Sequence, residues 1–152
     1  MPAAHALVQA REEIASTLAG SDAHELWVRP GGAASAGYHL RHLAGSLDRL
    51  LTYARGERLS LGQVAAIERE GEAGAGADEL KRVTDGAIDR ALAQLRTTPI
   101  ATLGEIRPVG RAGLPATVLG LLAHAAEHSS RHTGQFITTL KIVRGLGLAA
   151  TS

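Results

Sequence analysis

Histidines carry most of the chemical information in this 152-residue sequence, which contains seven of them and no cysteine. His39 and His42 lie three residues apart, and His124, His128 and His132 follow much later at steps of four residues. On an α-helix, residues four apart stack on one face with Cβ atoms about 5–6 Å apart. Two imidazoles in that arrangement can bind one ion at about 2.0–2.1 Å. The pair formed by His128 and His132 therefore predicts a bidentate metal clamp that a ligand from a facing helix would complete.

These ligand types restrict both the metal and the reaction. Without cysteine, the chain has no thiolate to bind a metal or act as a nucleophile, so any thiol chemistry needs a thiol from outside. Three neutral imidazoles leave coordination positions open for water or substrate, which is typical of catalytic rather than closed structural sites. Zinc and nickel both suit imidazole nitrogen, and the sequence does not choose between them. A single histidine pair on a helix is often incidental, so a bundle without a metal is the competing interpretation.

The elements that would position these histidines are predicted to be helices. Alanine and leucine dominate the sequence and aromatic residues make up only 3%, so helix formers greatly outnumber strand formers. Apolar residues recur at spacings of three and four along four long segments. The predicted helices run from about Ala3 to Ala19, from Ser35 to about Gly56, from Asp78 to just before Pro99, and from Pro115 to about Arg144.

Four helices joined by connections of this size predict an all-α fold, a four-helix bundle that forms a single domain over residues 1–152. A short extra helix, capped by Ser60, is predicted to extend to Glu70. The glycine-rich segment Gly71–Ala77 that follows is predicted to be a mobile linker. Residues 99–115 are rich in proline and glycine and predict a structured loop with a brief extended pair before the last helix.

Two stretches give the sequence a family resemblance. Ser35-Ala-Gly-Tyr-His-Leu-Arg-His-Leu43 lies on the second predicted helix, and His124-Ala-Ala-Glu-His-Ser-Ser-Arg-His-Thr-Gly-Gln135 lies on the last. Together they resemble the signature of the DinB superfamily, which includes YfiT-like metal-dependent hydrolases and low-molecular-weight-thiol transferases. The resemblance implies a four-helix bundle that holds a divalent ion through the three histidines of the matching set. The matching residues are His42, His128, His132, Gly134 and Gln135.

Periodicity alone does not select His42 as the third ligand. At about 100° per residue, His39 lies nearer to the leucine stripe of its helix than His42 does, so the pattern favours His39 or leaves the two equal. The resemblance favours His42 and makes His39 a partly buried, hydrogen-bonded neighbour of the ligands. His124 lies one turn before His128 and can line the pocket. Steps of four residues drift by about 40° each, too far for one ion to take all three histidines of the last helix.

The groups around the ligands are less clearly indicated. A ligating imidazole usually donates its other N–H to a carboxylate or carbonyl. Asp48, Glu70 and Glu127 are the candidate carboxylates, although solvated or ion-paired positions are the commoner environment for acidic groups. The remaining candidates are Tyr38 and Trp27 as pocket walls, Gln135 as a ligand contact, and Gly45 and Gly134 as points of close helix approach.

The predicted function is a divalent-metal-dependent enzyme that acts on a small-molecule substrate. The resemblance implies two reactions, hydrolysis and transfer of a small external thiol. Nickel or zinc, together with a low-molecular-weight thiol in the second case, would be the cofactors. The sequence shows no convincing general base, which favours the thiol reaction. A non-catalytic metal-binding or structural helical bundle is the alternative.

Charge and hydropathy indicate where the protein acts and with what. The formal net charge of +1 lacks the basic footprint of a general nucleic-acid binder. The sequence contains no run of about 18 apolar residues, the length that predicts a membrane span. A cytoplasmic location is therefore expected. The last helix carries Leu119, Leu122 and Leu140 on one stripe, with Leu121 and Phe136 beside it. Three neighbouring helices are not expected to cover both stripes and the histidines, which predicts a homodimer.

Overall fold

The apolar stripes of the sequence fold as helices, and the prediction of a mainly helical four-helix bundle is confirmed. The computed structural model describes residues 1–148, so residues 149–152 of the predicted domain lie outside the described part. Short 3-10 turns and one antiparallel hairpin occupy the connections. The α-helices are α1 (Pro2–Leu18), α2 (Ala36–Ala54), α3 (Leu61–Arg69), α4 (Ala77–Thr97) and α5 (Val118–Gly145), and the strands are β1 (Ile106–Val109) and β2 (Leu114–Thr117).

The four long helices form a ring in which α1 and α2, although consecutive long helices, lie diagonally opposite each other. Both of them pack against α4 and against α5. The interface between α2 and α5 is the most extensive. Since the two histidine groups lie on these helices, this interface brings the groups face to face. None of the helices within residues 1–148 is long and apolar enough to cross a bilayer.

Two clusters of buried apolar side chains fill the bundle. One of them contains Leu40, Phe136 and Leu140, all of which are fully buried. Leu40 follows His39 directly, and Phe136 lies one turn after His132. The packing of this cluster therefore fixes the distance between α2 and α5 at the level of the histidines.

Two of the predicted helix starts are wrong. The N-cap of α4 is Gly76, and Asp78 instead lies in the first turn, where a negative charge still stabilises the helix dipole. The last helix does not begin at Pro115, because that residue pairs with Pro108 in the hairpin. Its N-cap is Thr117, whose hydroxyl accepts the backbone N–H of Gly120. Pro115 is compatible with the first turn of a helix and with a strand, and the register of the hairpin places it in β2.

The connection between α3 and α4 is anchored to the bundle at several points, although its composition predicts a segment without packing contacts. Ala75 is buried, with 3% of its surface exposed, and belongs to a core cluster. The indole Nε1 of Trp27 donates to the Ala75 carbonyl at 2.8 Å. Arg41 donates to the carbonyls of Arg69 and Glu72. This connection therefore crosses α2 along a defined path.

The apolar surface of α5 is covered more completely than the sequence predicts. Leu122 and Leu140 are buried, and so are Leu121 and Phe136 from the neighbouring stripe, while Leu119 is 53% exposed. The helices α1 and α2 therefore cover most of both stripes, and strand β2 of the hairpin packs against α5 as well, while Leu119 remains exposed. The homodimer stays a prediction. The uncovered second stripe that supported it is absent, because Leu121 and Phe136 are buried within the chain.

One ion pair ties the α1–α2 connection to the end of α5, and its removal has a predictable pH signature. Glu25, which is 8% exposed, accepts from the Arg144 guanidinium with a shortest contact of 2.6 Å. This hydrogen bond holds the pKa of Glu25 below its usual range. We expect Glu25→Gln to lower the free energy of unfolding by about 1–2 kcal/mol at neutral pH.

The pH dependence of that difference follows from the direction of the shift. A carboxyl whose folded pKa is depressed stabilises the fold above its unfolded pKa and loses this contribution as the pH falls through the folded pKa. Urea unfolding of both proteins should therefore show the largest gap near pH 7 and convergence in acid. A gap that persists or widens at pH 3 would contradict the assignment.

Candidate metal centre

Three histidines from two helices converge at the interface of α2 and α5. His42 comes from α2, and His128 and His132 come from successive turns of α5. One ring nitrogen from each lies within 4.8 Å of the others. The ring centroids of His42 and His128 each lie 4.5 Å from that of His132. The predicted convergence of these three imidazoles is therefore present.

The closest pair of nitrogens in the group has the spacing expected of two ligands of one ion. Nε2 of His128 lies 3.1 Å from Nε2 of His42. With bonds of about 2.0–2.1 Å, two nitrogens on a tetrahedral ion lie about 3.3 Å apart. The other ring nitrogen of His128, Nδ1, is buried without a hydrogen-bond partner among the described residues, so Nε2 is its nitrogen that faces the group. The donor set fits a divalent ion that prefers imidazole.

The remaining nitrogen of His42 is held by a buried carboxylate. Nδ1 of His42 lies 2.7 Å from Oε2 of Glu70, and Glu70 is only 5% exposed. Burial opposes ionisation of Glu70, but hydrogen bonds from His42 and Arg49 outweigh it and hold its pKa below the usual range. Since an ionised carboxylate only accepts hydrogen bonds, the proton lies on Nδ1 of His42. Its Nε2 lies 3.1 Å from Nε2 of His128 and 3.2 Å from Oγ of Ser46.

His39 does not belong to the converging group, although helix periodicity favours it or treats it as equal to His42. It is 7% exposed, and its Nδ1 lies 3.2 Å from Nδ1 of His132. This contact leaves Nε2 of His132 as the nitrogen free to act as a ligand. The two α2 histidines are separated by about 60° around the helix axis, and that angle turns His39 into the core and His42 toward the edge. His39 is therefore a buried, hydrogen-bonded neighbour of the converging histidines, which is the role that the family resemblance implies for it.

His124 lies at the margin of the site. Half of its side chain is exposed, and its ring centroid lies 5.5 Å from that of His128. Its Nδ1 lies 3.3 Å from the carboxylate of Glu127. The helical drift expected over successive steps of four therefore separates His124 from the converging nitrogens.

The site favours the form of histidine that binds metal ions. Burial lowers the pKa of His128 and of His39, and the neighbouring His42 adds to the effect. Burial, again reinforced by His42, lowers the pKa of His132 to about 4. These rings are therefore neutral at physiological pH. Neutral imidazole presents the lone pair that a divalent ion needs.

Comparison with known proteins identifies the family of this chain. A family model of the DinB superfamily matches residues 6–136, a span that includes all three converging histidines. The chain belongs to the DinB superfamily. The crystal structure of a conserved protein from Enterococcus faecalis is similar over 94% of this chain and 95% of the other, with a TM-score of 0.78 and 19% identity. That likeness shows a common fold. No curated protein matches the sequence significantly.

Of the carboxylates considered for this DinB-superfamily site, Glu70 alone contacts a converging histidine among the described residues. Asp48 instead accepts from Gln63 at 2.6 Å. Glu127 is exposed and is paired with Arg131 and His124. Glu70 is one of the three carboxylates predicted from the sequence, for all of which a solvated or ion-paired surface position is the commoner expectation. Glu70 is the C-cap residue of α3, and the contacts that bring it to His42 leave no signal in the local sequence.

The predicted pocket walls of the DinB-superfamily chain divide into one that lies at the site and one that does not. The ring of Tyr38 stacks on that of His42, with centroids 5.3 Å apart and planes inclined by 12°. Trp27 packs instead against Gly37 and under the guanidinium of Arg41. Gly134 and Gln135 line a cavity of about 550 Å³ that also reaches His39 and Arg131. A Cβ atom added to Gly134 would meet no atom of a neighbouring element within 4 Å, so the predicted close helix approach is absent there.

Proposed function

We propose that this chain is a divalent-metal-dependent enzyme that transfers a low-molecular-weight thiol to a small electrophilic substrate. His42, His128 and His132 would hold the ion, with zinc or nickel as the metal. The observation that carries the proposal is the convergence of three imidazoles at a partly exposed edge of the α2–α5 interface. A divalent ion in such a site supplies a positive charge that lowers the pKa of a bound thiol or water.

The surroundings of the histidines favour the thiol reaction over hydrolysis. Hydrolysis is assisted by a base that takes a proton from the attacking water. In the described part of the chain, the carboxylate that contacts a converging histidine is Glu70, and it is already paired with Arg49. A thiol is far more acidic than water and needs less help to lose its proton. The chain's own residues would then bind and orient the reactants rather than carry the proton.

The protein is further proposed to act in the cytoplasm, as a homodimer. The absence of cysteine and the absence of a membrane-spanning helix within residues 1–148 support the first point. For the second, Leu119 leaves exposed apolar surface on α5. The proposed partner of the site is a small-molecule substrate, and no nucleic-acid partner is proposed.

The proposed reaction can be separated from hydrolysis in one assay with two arms. Untagged protein loaded with zinc or nickel is mixed with a chlorinated dinitrobenzene and a panel of thiols that includes cysteine and glutathione. In this reaction the thiol sulfur bonds to the ring carbon, chloride leaves and the thiol proton is released. The second arm offers a nitrophenyl ester without any thiol. We expect metal-dependent turnover in the first arm that is lost in His128→Ala.

Each of the other outcomes would assign the chain a different function. Turnover of the ester alone would make the chain a hydrolase and overturn the thiol proposal. Stoichiometric metal binding without turnover in either arm, across the thiol panel, would indicate a non-catalytic metal-binding bundle.

A further inference from the structure

The contacts of Glu70 form a closed chain of hydrogen bonds around one of the converging histidines. Oε2 of Glu70 accepts from His42 at 2.7 Å, and Oε1 accepts from Arg49 at 2.7 Å. The same guanidinium donates to Oγ of Ser46 at 3.1 Å. That hydroxyl lies 3.2 Å from Nε2 of His42. Both oxygens of the carboxylate and both nitrogens of the imidazole are thereby fixed in place.

The carboxylate reaches His42 across a position on α2 that has no side chain. A Cβ atom added to Gly45 would lie 2.6 Å from Oε1 of Glu70 and 2.8 Å from Nη1 of Arg49. Both distances are shorter than real carbon contacts allow. Gly45 therefore leaves the space that the ion pair between Glu70 and Arg49 occupies. The connection after α3, anchored by Arg41, brings Glu70 to this space.

We propose that Glu70 is the positioning residue of the metal centre, and that Arg49 and the bare backbone of Gly45 hold it there. The inference rests on the proposed function to the extent that His42 is a metal ligand. By accepting the Nδ1 proton, Glu70 fixes the tautomer and the ring orientation of His42, so that the lone pair is on Nε2, the nitrogen that lies beside Nε2 of His128. A carboxylate in that place also raises the basicity of the ligating nitrogen.

Glutamine is the substitution that separates this role from simple packing. Its side chain has the same shape, but one oxygen becomes an NH2 group that only donates. If that group faces Arg49, two donors oppose each other. If it faces His42, the imidazole must carry its proton on Nε2, the nitrogen that would bind the ion. Either arrangement weakens the site without leaving a cavity.

The test compares metal affinity and coordination between two matched variants. Glu70→Gln is expected to weaken Zn²⁺ binding by about 10–100-fold, measured by competition with a chelator. Glu25→Gln removes a different Glu–Arg pair, since Glu25 accepts from Arg144 and from the backbone of Asp22 rather than from a histidine. It is expected to leave the affinity unchanged. The visible absorption spectrum of the Co²⁺-loaded protein should change in Glu70→Gln and stay constant in Glu25→Gln, which a merely structural role would not produce.

A second pair of variants tests the path of the carboxylate without altering it. Gly45→Ala is expected to push Glu70 away from His42 and to weaken Zn²⁺ binding in the same direction. Gly86→Ala is the control, because it also places alanine within a helix but meets only Arg90, at 3.4 Å. It should leave the affinity unchanged. Thermal unfolding of each metal-free variant establishes that it is folded.

The outcomes distinguish the inference from the function on which it rests. Wild-type affinity within threefold in Glu70→Gln, with an unchanged Co²⁺ spectrum, would overturn the positioning role while leaving the metal site intact. If Glu70→Gln is too unstable to measure, wild-type affinity in Gly45→Ala overturns it instead. Failure of the wild-type protein itself to bind Zn²⁺ would overturn the proposed function, and the inference with it.

Discussion

Replacing His128 with alanine is expected to abolish stoichiometric binding of a divalent metal while leaving the helices intact. The change removes one of three converging imidazoles, and two ligands in a partly solvated site do not hold an ion against water and buffer. His128 is only partly buried, so truncation leaves a gap at the edge of the bundle rather than in its core. Isothermal titration with Zn²⁺ and far-UV circular dichroism measure the two parts of the prediction.

The matched control is His124→Ala, one turn earlier on the same helix. His124 touches the ring of His128 but lies outside the converging group. It is expected to retain one tight site, with an affinity within a few-fold of the wild-type value. Equal loss in both variants would mean that the titration reports an exposed histidine cluster rather than a defined centre.

Phe136→Ala is expected to cause the largest loss of stability, about 3–5 kcal/mol in the free energy of unfolding. The ring is fully buried in a cluster with Leu40 and Leu140, so truncation loses apolar burial and leaves a cavity. Total stabilities of domains lie at about 5–15 kcal/mol, so the variant should be close to unfolding at physiological temperature. Chemical denaturation of the metal-free protein measures the difference.

Leu119→Ala provides the comparison on the same helix. Leu119 is 53% exposed, and exposed substitutions usually change stability by less than about 0.5 kcal/mol. A small loss in Phe136→Ala, similar to that of Leu119→Ala, would show that Phe136 is not buried as the structure has it.

Much of the fold could be predicted because its signals are local. Ser35 and Ser60 each accept the backbone N–H three residues on, a contact that needs no partner from elsewhere in the chain. The apolar stripe of α1 is buried as its spacing predicts. The pair formed by His128 and His132 also depends only on the geometry of one helix.

The third histidine could not be chosen from spacing, because the choice depends on how two helices meet. His39 and His42 differ by about 60° on α2, and which of them faces the clamp depends on the rotation of α2 against α5. Leu40, Phe136 and the rest of their buried cluster set that rotation. A family resemblance carries this tertiary information, and periodicity does not.

Glu70 could not be singled out for a similar reason. It lies 28 residues from His42 in sequence, on a connection whose path is set by distant contacts from Trp27 and Arg41. Composition describes that connection as glycine-rich and says nothing of those contacts. The gap that admits the carboxylate is visible only once Gly45 and Arg49 are seen beside it.

The metal content of the untagged protein tests the central claim most directly. The wild-type chain and a variant lacking His42, His128 and His132 are each incubated with zinc and nickel, desalted and analysed by inductively coupled plasma mass spectrometry. We predict about one divalent ion per wild-type chain, as expected for one three-histidine site, and none above background in the variant. A wild-type metal content no higher than that of the variant would contradict the account.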